Sequence, residues 1–441
     1  MQRYIRVTFR SISPLRRRAA ARATSARIGR PHNPQPSVGT WHNAVKDDHI
    51  VPTQNWRISE LILERFKAAF QPEPIQLRQF NVIIGRNGSG KSTLLEALQW
   101  LDTTIRTDAR EASERYRGIH DLMNLRSRTR VPYFELSIKW QSNELSERTI
   151  RYRTRVTEEE DLPRITIEEL EDLPSRRHYI STTEPGARLI SDAGVTILDA
   201  DRLALATLAK TRFEPRDPIL DFLGSFWARA VFLRLSPNRL ATGSLATRRS
   251  IEPLLDEEGQ NLPALLNELS DDERQALVES VREILSGIRG VLVSKAELGR
   301  DTRVHYSLLE RMPYRGRAGM YQFPIPAWML SEGTRRLTAI LALLVRRPGP
   351  SILCIEEIEN GLDPWTVRAI LRHLQDAADN GTQVLVTTHS PWVLDEVPIE
   401  SILLVRRLKG DTRYDPLQSI PEMKSFDPRI PPGTRYVQLS E

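Results

Sequence analysis

The chain reads Gly85-Arg86-Asn87-Gly88-Ser89-Gly90-Lys91-Ser92 after a short apolar run at residues 80–84 and before apolar residues that recur at helical spacing up to Leu101. The stretch fits the pattern G-x-x-x-x-G-K-[ST], in the strand–loop–helix setting that this pattern requires. Its glycines let consecutive backbone N–H groups turn toward phosphate oxygens, and the helix N-terminus adds positive potential. We expect Lys91 to reach the β- and γ-phosphates of a nucleotide and the Ser92 hydroxyl to ligate Mg²⁺.

The C-terminal part of the chain alternates between helix and strand patterns. Apolar periodicity predicts helices at 331–346, 364–378 and near 391–396, and strands at 351–356, 383–388 and 401–405. Such alternation is typical of a parallel sheet with crossover helices. Together with the glycine-rich stretch, it predicts an α/β domain whose two sequence halves flank a long insertion.

Two carboxylates follow a buried-strand pattern in Ile352-Leu353-Cys354-Ile355-Glu356-Glu357. In a nucleotide site, the first carboxylate of such a pair faces Mg²⁺ and the second orients the attacking water. Apolar strands often end in acids, but this pair lies 265 residues after Lys91 in a matching α/β pattern, which strengthens the assignment. His389 follows the next predicted strand and should emerge at the same edge of the sheet. The alternative for His389 is an ordinary polar group.

Two further turns carry candidate residues. Ser331-Glu332-Gly333 precedes a predicted helix, and a serine side chain with a glycine backbone at a helix N-terminus can bind an anion. The alternative is an ordinary helix-capping serine. Gly361-Leu362-Asp363-Pro364 forms a tight turn between the glutamate pair and His389. Arg335 is a second candidate cation for phosphate, beside Lys91.

The intervening residues show other patterns. Residues 133–200 contain short alternating segments separated by acidic or Gly/Pro turns, which predicts an antiparallel β subdomain. Residues 201–288 look mainly helical, and strand candidates follow at 290–296 and 304–309. The expected organisation is a basic tail at 1–50, the N-terminal half of the nucleotide-binding head at 51–132, a β and helical insertion at 133–328, and the C-terminal half of the head at 329–441.

Charge is distributed unevenly along the chain. Its 63 Lys+Arg and 57 Asp+Glu give a net charge of +6, but residues 1–46 hold nine arginines, Lys46 and no acid. The rest of the chain therefore carries a net charge of −4. The basic segment fits a disordered tail, a mis-assigned start, an organelle-targeting segment or a nucleic-acid-binding arm. Binding of DNA is thus a separate hypothesis for the tail and for the mildly acidic body.

Apolar runs and cysteine content exclude two classes of protein. The longest apolar run, Leu337 to Val345 interrupted by Thr338, is far shorter than the ~20 residues that a membrane-spanning helix needs. We expect no contact with a membrane and a cytoplasmic location. Cys354 is the single cysteine, so an internal disulfide and a multi-cysteine zinc site are excluded.

In their order along the chain, these motifs resemble those of ABC-type ATPases: a Walker A loop, a Ser-x-Gly signature, a Walker B strand with a trailing glutamate, a Leu-Asp loop and a switch histidine. Phrases such as Asn81-Val82-Ile83-Ile84-Gly85 and Thr387-Thr388-His389-Ser390-Pro391 resemble the SMC/RecF/OLD-like branch of bacterial AAA family ATPases without a TOPRIM domain, over about residues 56–406. The resemblance implies a P-loop NTPase of the α/β class: an ABC-type ATPase head with an inserted antiparallel β subdomain and a helical subdomain. It also implies ATP, Mg²⁺ and a homodimer that sandwiches the nucleotides.

The resemblance further implies a role for each motif residue. Lys91, Glu357 and His389 would be catalytic, with Glu357 polarising water and His389 contacting the γ-phosphate. Ser92 and Glu356 would bind Mg²⁺. The nucleotide-binding residues would be Gly85, Arg86, Asn87, Gly88, Ser89, Gly90, Lys91, Ser92 and Thr93 of one subunit, with Ser331 and Gly333 of the other subunit as a cap and Asp363 coupling the two sites.

The sequence departs from the family pattern at three positions. Glu356 replaces the usual Asp of Walker B, Glu332 replaces the first signature glycine, and Ile358 stands where relatives often have Pro. The change at Glu332 puts the capping of ATP across the dimer in question. Gln141 is the candidate for the glutamine loop of this family.

Spacing separates the branches of the superfamily. The 240 residues from Lys91 to Ser331 exceed the interval of transporter ATP-binding subunits, and no long heptad runs flank the insertion, so neither a transporter motor nor an SMC-type coiled-coil arm is expected. The 52 residues after His389 leave no room for the TOPRIM domain of OLD-type nucleases. Any nuclease or toxin activity would then come from a partner.

The leading hypothesis is an ATP-hydrolysing dimeric switch that acts with DNA or a partner effector protein in genome maintenance, such as DNA repair, or in phage defence. The second hypothesis is a sensor or scaffold module that ATP stabilises, with negligible turnover. Replacement of Glu357 by Gln separates the two, because the first hypothesis requires the wild-type protein to hydrolyse ATP faster than this variant.

Overall fold

The computed structural model describes residues 56–124, 126, 131–142, 148–184, 187–190, 194–210, 217–246, 253–298, 301–312, 321–427 and 429–439. The predicted basic tail at 1–50 lies outside the described residues. The strands are β1 Trp56–Glu64, β2 Pro74–Gln76, β3 Phe80–Gly85, β4 Tyr133–Ser142, β5 Thr149–Glu159, β6 Leu162–Asp172, β7 Arg177–Glu184, β8 Ala187–Ile190, β9 Gly194–Ile197, β10 Val231–Leu233, β11 Ser244–Leu245, β12 Ile288–Leu298, β13 Asp301–Arg311, β14 Gln322–Pro326, β15 Ile352–Ile355, β16 Gln383–Thr388, β17 Ile402–Leu408 and β18 Asp411–Pro416. The helices are α1 Lys91–Arg106, α2 Ala109–Glu114, α3 Ala204–Lys210, α4 Pro218–Ala228, α5 Pro237–Leu240, α6 Leu262–Glu268, α7 Asp271–Ile284, α8 Glu332–Val345, α9 Pro364–Asp379, α10 Pro391–Asp395, α11 Pro421–Ser425 and α12 Pro432–Gln438.

A six-stranded sheet forms the centre of the fold, in the order β10-β15-β16-β3-β17-β18. Its first five strands are parallel, and β18 pairs with β17 in the antiparallel sense. The strand before the glycine-rich loop, β3, therefore lies between β16 and β17 from the far end of the chain. This arrangement confirms the predicted α/β fold of the P-loop NTPase class, with both sequence halves in one sheet.

Alternating residues of the central strands face two separate hydrophobic cores, as strand geometry requires. Ile83, Cys354 and Leu385 belong to the core shared with α1, α4 and the antiparallel strands β1, β4 and β5. Val82, Leu353 and Val384 belong to the core shared with α8 and α9. Burial on both faces explains why these strands read as continuous apolar runs in the sequence.

An eight-stranded antiparallel sheet, in the order β2-β1-β4-β5-β6-β7-β8-β9, contains the strands predicted between 133 and 200. It does not begin at residue 133, because β1 pairs along its whole length with β4. The boundary between the N-terminal half of the head and the insertion therefore passes through a continuous sheet. Pairing between strands separated by about 70 residues depends on register, which local patterns do not specify.

The segment predicted to be mainly helical, 201–288, contains α3, α4, α5, α6 and α7 together with two short strands, β10 and β11. β10 is part of the central sheet, whereas β11 joins a third sheet built around the hairpin of β12 and β13. The predicted insertion at 133–328 thus supplies a strand to the nucleotide-binding head. In the part of the chain that the structure describes, no helix is long and apolar enough to cross a membrane.

Candidate functional site

Four parallel strands end at one edge of the central sheet and bring the sequence motifs together. In register, Thr388 of β16 lies beside Ile84 of β3, and Ile355 of β15 lies beside Val386. The glycine-rich loop, Glu356 and His389 follow directly after these strands. Carboxyl ends of parallel strands are the usual place for ligands in an open α/β sheet. The edge therefore combines three motifs that are up to about 300 residues apart in the sequence.

The phosphate loop, residues 85–92, curls around the N-terminus of α1. Gly88 and Gly90 adopt φ angles of +73° and +105°, which favour glycine. The Lys91 ammonium donates to the carbonyl oxygens of Gly85 at 2.8 Å and Arg86 at 3.1 Å. Burial lowers the pKa of Lys91, while the nearby charges of Glu357 and Glu359 act in the opposite direction. The lysine thus lies inside its own loop and near the acidic residues Glu357 and Glu359 of the turn that follows β15, which we call the Walker B turn.

Two features of the loop fit a bound phosphate. The Ser89 hydroxyl is buried and has no hydrogen-bond partner among the described residues, which is costly unless a ligand supplies one. A Cβ atom built on Gly88 would meet no atom within 4 Å, so the backbone there faces open space. Ser92 lies in the first turn of α1, where backbone N–H groups lack partners within the helix, whereas the Thr93 backbone N–H donates to the Gly90 carbonyl oxygen at 3.1 Å. The residues present therefore fit a nucleotide whose phosphates accept these donors.

Strand β18 supports the loop from behind, a role that the sequence did not reveal. The Thr412 hydroxyl donates to the carbonyl oxygen of Ser89 at 2.9 Å. The Tyr414 hydroxyl donates to the carbonyl oxygen of Gly90 at 2.6 Å. Burial raises the pKa of Tyr414 far above its usual range, so the phenol keeps its proton. The sequence carries no signal for this contact, because β18, Asp411-Thr412-Arg413-Tyr414-Asp415-Pro416, is largely polar.

The two glutamates of the Walker B turn have different environments. The Glu356 backbone N–H donates to Leu233 of β10 at 2.9 Å, and burial raises the pKa of the Glu356 carboxyl to about 7, with Arg234 acting in the opposite direction. Glu357 is half exposed and adopts a left-handed φ of +50°, unusual for a residue with a long side chain. Its backbone N–H donates to the Thr387 hydroxyl at 2.9 Å, which holds this strained conformation.

His389 lies beside Glu357, as the sequence predicted from strand order. Its Nε2 is 3.5 Å from a carboxylate oxygen of Glu357. The His389 backbone N–H donates to Glu359 at 2.6 Å, so the Walker B turn and the end of β16 are tied together. Lys91 is close enough to this pair that the charge of Glu357 partly offsets the lowering of the Lys91 pKa by burial. Glu357, His389 and Lys91 therefore form the centre of the candidate site.

The signature residues lie at the N-terminus of α8. Ser331 caps this helix by accepting from the Thr334 backbone N–H at 3.1 Å, and it remains exposed. The Glu332 carboxylate pairs with Arg336 of the same helix at 3.2 Å. A Cβ atom on Gly333 would lie 2.8 Å from the Gly361 carbonyl oxygen, so a glycine is required for this close approach. The signature and the turn before α9 are therefore in direct contact.

Asp363 is the cap of α9. Its carboxylate accepts from the Trp365 and Thr366 backbone N–H groups at 3.0 and 3.1 Å and from the Thr366 hydroxyl at 2.6 Å. The hydrogen bond from Thr366 lowers the pKa of Asp363. The side chain is exposed but engaged within its own chain, and its predicted role between two subunits stays a prediction.

The expectation for Gln141 is wrong, and Arg335 does not lie at the phosphate loop of its own chain, so its contact with phosphate stays a prediction. Gln141, the candidate for the glutamine loop, lies opposite Arg57 on β1, next to Ile58, which bonds to Gln383 at the N-terminal end of β16. That is the edge of the sheet opposite the phosphate loop. Arg335 donates to the Ala327 carbonyl oxygen at 3.3 Å and lies near Tyr306 rather than at the phosphate loop.

A cation that the sequence did not reveal lies at the site instead. Arg234 follows β10, and its Nε is 3.8 Å from a carboxylate oxygen of Glu356. A strand of three residues is too short to show periodicity, so this position was hidden in a segment that looked helical. The available signal was the apolar triplet Val231-Phe232-Leu233 followed by a charge.

The chain is similar in sequence to several known proteins. Residues 80–395 match the model of a family described as "AAA domain, putative AbiEii toxin, Type IV TA system". The Retron Vc95 probable ATPase of Vibrio cholerae serotype O1 biovar El Tor is 22% identical over 374 residues, which cover 74% of this chain and 69% of that protein. The ABC transporter ATP-binding/permease protein Rv1747 of Mycobacterium tuberculosis is 41% identical over 66 residues, or 15% of this chain and 7% of that protein.

Solved structures similar to this chain include SMC head domains. The Smc head bound to the C-winged helix domain of ScpA aligns with a TM-score of 0.48 and 16% identity, covering 81% of this chain and 96% of that one. The SMC head domain from Thermotoga maritima aligns with a TM-score of 0.41 and 15% identity, covering 82% and 98%.

Proposed function

This chain belongs to the family of AAA domains described as "putative AbiEii toxin, Type IV TA system", and on that premise we propose that it is an ATP-binding and ATP-hydrolysing dimeric switch. The observation that carries the proposal is the meeting of the phosphate loop, Glu357 and His389 at one sheet edge, with 3.5 Å between the last two side chains. An ordinary glycine-rich turn does not require acidic and imidazole groups at the same place.

Binding is the task of the phosphate loop and α1. Backbone N–H groups of the loop that have no partner within it, the buried Ser89 hydroxyl and the Lys91 ammonium would donate to phosphate oxygens. Ser92 and Glu356 would hold Mg²⁺, which supplies charge neutralisation of the phosphates when bound. Glu356 can serve this purpose although its pKa is raised, because a bound Mg²⁺ beside the carboxyl group would favour its ionised form.

Hydrolysis requires a base near the terminal phosphate. The Glu357 backbone is held by its hydrogen bond to Thr387 in a left-handed conformation, which fixes where the half-exposed side chain begins. From that position the carboxylate would orient and deprotonate a water. His389, at 3.5 Å, can stabilise the carboxylate of Glu357 or donate to phosphate through Nε2. The proton taken from water would reside on Glu357 until product release.

The dimer rests on two exposed elements. Ser331 and Asp363 lie at the N-termini of α8 and α9, where they are accessible to a second copy of the chain. In the proposed assembly, Ser331 and Gly333 of one copy cap the ATP bound by the other. A homodimer of this kind would form with ATP and dissociate after hydrolysis.

The decisive experiment compares the wild-type protein with Glu357→Gln. We expect the variant to release phosphate from ATP at least about 100-fold more slowly than the wild type in the presence of Mg²⁺, and to retain its affinity for ATP. Sedimentation of the variant with ATP should show a dimer that is absent with ADP. Equal phosphate release by the two proteins contradicts the assignment of Glu357, and a monomer under all conditions contradicts the sandwich.

A second candidate is a sensor or scaffold module that ATP stabilises without turnover. It is favoured by Glu332, whose negative charge stands where the signature usually has glycine and would oppose the approach of a triphosphate from the partner. If wild-type protein binds ATP, gains thermal stability from it and releases no more phosphate than Glu357→Gln, this candidate replaces the first.

DNA or an effector protein is the proposed partner, in phage defence or genome maintenance. Support for defence comes from the Retron Vc95 probable ATPase, a relative at 22% identity, and from the toxin–antitoxin wording of the family. Arginines on the outer face of β5 pair with acids of neighbouring strands, as in Arg153 with Glu135 and Arg151 with Glu171. We therefore expect residues 1–46 to account for any DNA binding, and a gel shift that persists after their removal would contradict this.

A further inference from the structure

Arg234 is placed at the active edge by the backbone of β10. This strand pairs in parallel with β15, with Leu233 beside Ile355, and the Glu356 backbone N–H donates to the Leu233 carbonyl oxygen at 2.9 Å. The Arg234 backbone N–H in turn donates to the backbone carbonyl oxygen of Glu257 at 2.8 Å. The main chain of Arg234 is therefore fixed next to the Walker B carboxylate, whatever rotamer its side chain adopts.

A cavity of about 410 Å³ opens beside this position. Its lining includes four carboxylates and two guanidinium groups, which belong to Glu257, Glu258, Glu356, Glu357, Arg234 and Arg336. A nucleotide triphosphate carries negative charge, so the carboxylates alone would repel it. Mg²⁺ would neutralise part of this charge, and Arg234 and Arg336 add positive charge on the β10 side of the site, whereas Lys91 acts from the loop after β3.

The two arginines differ in how strongly they are held. Arg336 is buried and bonded to Glu332 at 3.2 Å. The Arg234 side chain is 74% exposed, and its contact with Glu356 is a long ion pair of 3.8 Å. A long ion pair holds the exposed Arg234 side chain only weakly, so a phosphate oxygen can replace the Glu356 carboxylate as its partner.

We propose that Arg234 contacts the γ-phosphate of ATP and makes the site prefer ATP to ADP; the proposal rests on the proposed binding of ATP at residues 85–93. A guanidinium presents a planar pair of donors that matches two phosphate oxygens, which suits this position better than a lysine would. ADP lacks the group that Arg234 binds. The contact is therefore a device that distinguishes the nucleotide before hydrolysis from the one after it.

The test is a titration of the full-length protein with fluorescent mant-ATP and mant-ADP, in Mg²⁺ and in EDTA. We expect Arg234→Ala to weaken ATP binding at least tenfold and ADP binding less than twofold, in both buffers. Arg234→Lys should recover part of the loss, because it retains the charge without the fork. Arg239→Ala is the matched control: Arg239 pairs with Glu258 at 3.2 Å on the rim of the same cavity and should not discriminate between the nucleotides.

Several outcomes overturn the proposal. Equal losses for ATP and ADP, no loss at all, or the same effect in Arg239→Ala would each exclude a specific contact with the γ-phosphate. An effect that disappears in EDTA would show that Arg234 acts through Glu356 on the metal. If the wild-type protein binds neither nucleotide, the proposed function fails as well, whereas normal binding by Arg234→Ala leaves that function intact. Arg234→Gln, which keeps most of the side-chain length, replaces the alanine variant if the latter unfolds at a lower temperature.

Discussion

Gly90→Ala tests whether β18 sets the position of the phosphate loop. Gly90 adopts a φ of +105°, and a Cβ atom there would lie 2.8 Å from both Cγ2 and Oγ1 of Thr412 and 3.2 Å from the Cβ of Ala68. Gly88, two residues earlier, also has a positive φ of +73°, but a Cβ there would meet no atom within 4 Å. Both substitutions carry a backbone penalty, which is larger at Gly90 because +105° lies farther from the left-handed region, and only Gly90→Ala adds a packing clash.

The expected magnitudes follow from this difference. A left-handed backbone costs an ordinary residue about 1–2 kcal/mol, which is the full effect expected for Gly88→Ala. Overpacking of a tight site costs about 1–3 kcal/mol more. Gly90→Ala should thus lower the free energy of unfolding by about 2–5 kcal/mol in all. The excess over Gly88→Ala combines this clash with the greater backbone strain at Gly90, and only the clash with Thr412 is relieved when Thr412 is shortened.

The assay is urea unfolding without nucleotide, followed by circular dichroism, for both variants with and without Thr412→Ala. Removing the Thr412 hydroxyl and methyl takes away the obstructing atoms, so Gly90→Ala should cost about 1–3 kcal/mol less in the Thr412→Ala background. Gly88→Ala should cost the same in both backgrounds, within about 0.5 kcal/mol. Equal destabilisation by the two glycine substitutions, or additive behaviour of Gly90→Ala with Thr412→Ala, would refute the reasoning.

Three further substitutions probe the same site. Tyr414→Phe removes the donor to the Gly90 carbonyl oxygen and should cost about 1 kcal/mol in thermal unfolding, while raising KM for ATP more than it lowers kcat; an unchanged KM would contradict a positioning role. Glu357→Gly relieves a φ of +50° and should raise the free energy of unfolding by about 0.5 kcal/mol while ATP hydrolysis disappears, whereas Glu357→Gln keeps the strain and should leave stability unchanged. Asp363→Asn should be less stable than the wild type at pH 7. The hydrogen bond from Thr366 holds the pKa of Asp363 below its usual value, so the greater stability of the wild type is present above about pH 4 and is lost as the pH falls through the folded-state pKa. Unfolding free energies measured at decreasing pH should therefore become equal for the two proteins.

The parts of the site that could be predicted are those whose signal is local. Each of the three motifs consists of a buried strand and the residues that follow it, and the order of strands and helices places their ends at one edge. Resemblance to ABC-type ATPases led to the same residues, and the match of residues 80–395 to an AAA domain family confirms that resemblance.

The parts that could not be predicted depend on pairing between distant segments. Gln141 was the candidate for the glutamine loop, but the register of β4 against β1 puts it opposite Arg57, at the far edge of the sheet. Thr412 and Tyr414 contact the phosphate loop because β18 pairs with β17, which itself pairs with β3. No periodicity within residues 411–416 specifies that neighbour.

The contact between the signature and the Walker B turn bears on how the proposed switch would work. Gly361 has a φ of +69°, and a Cβ there would lie 2.7 Å from the Glu332 carboxyl group, so α8 packs directly on this turn. The turn itself is closed by hydrogen bonds from Asn360 to Glu357 and from Leu362 to Glu359. A movement of Glu357 would therefore be transmitted through this turn to Gly361 and to the N-terminus of α8. Since close-packed elements shift as units, a change at one ATP would alter the surface offered to the second copy. Glu332 takes part in this packing through its closeness to Gly361 and its pairing with Arg336.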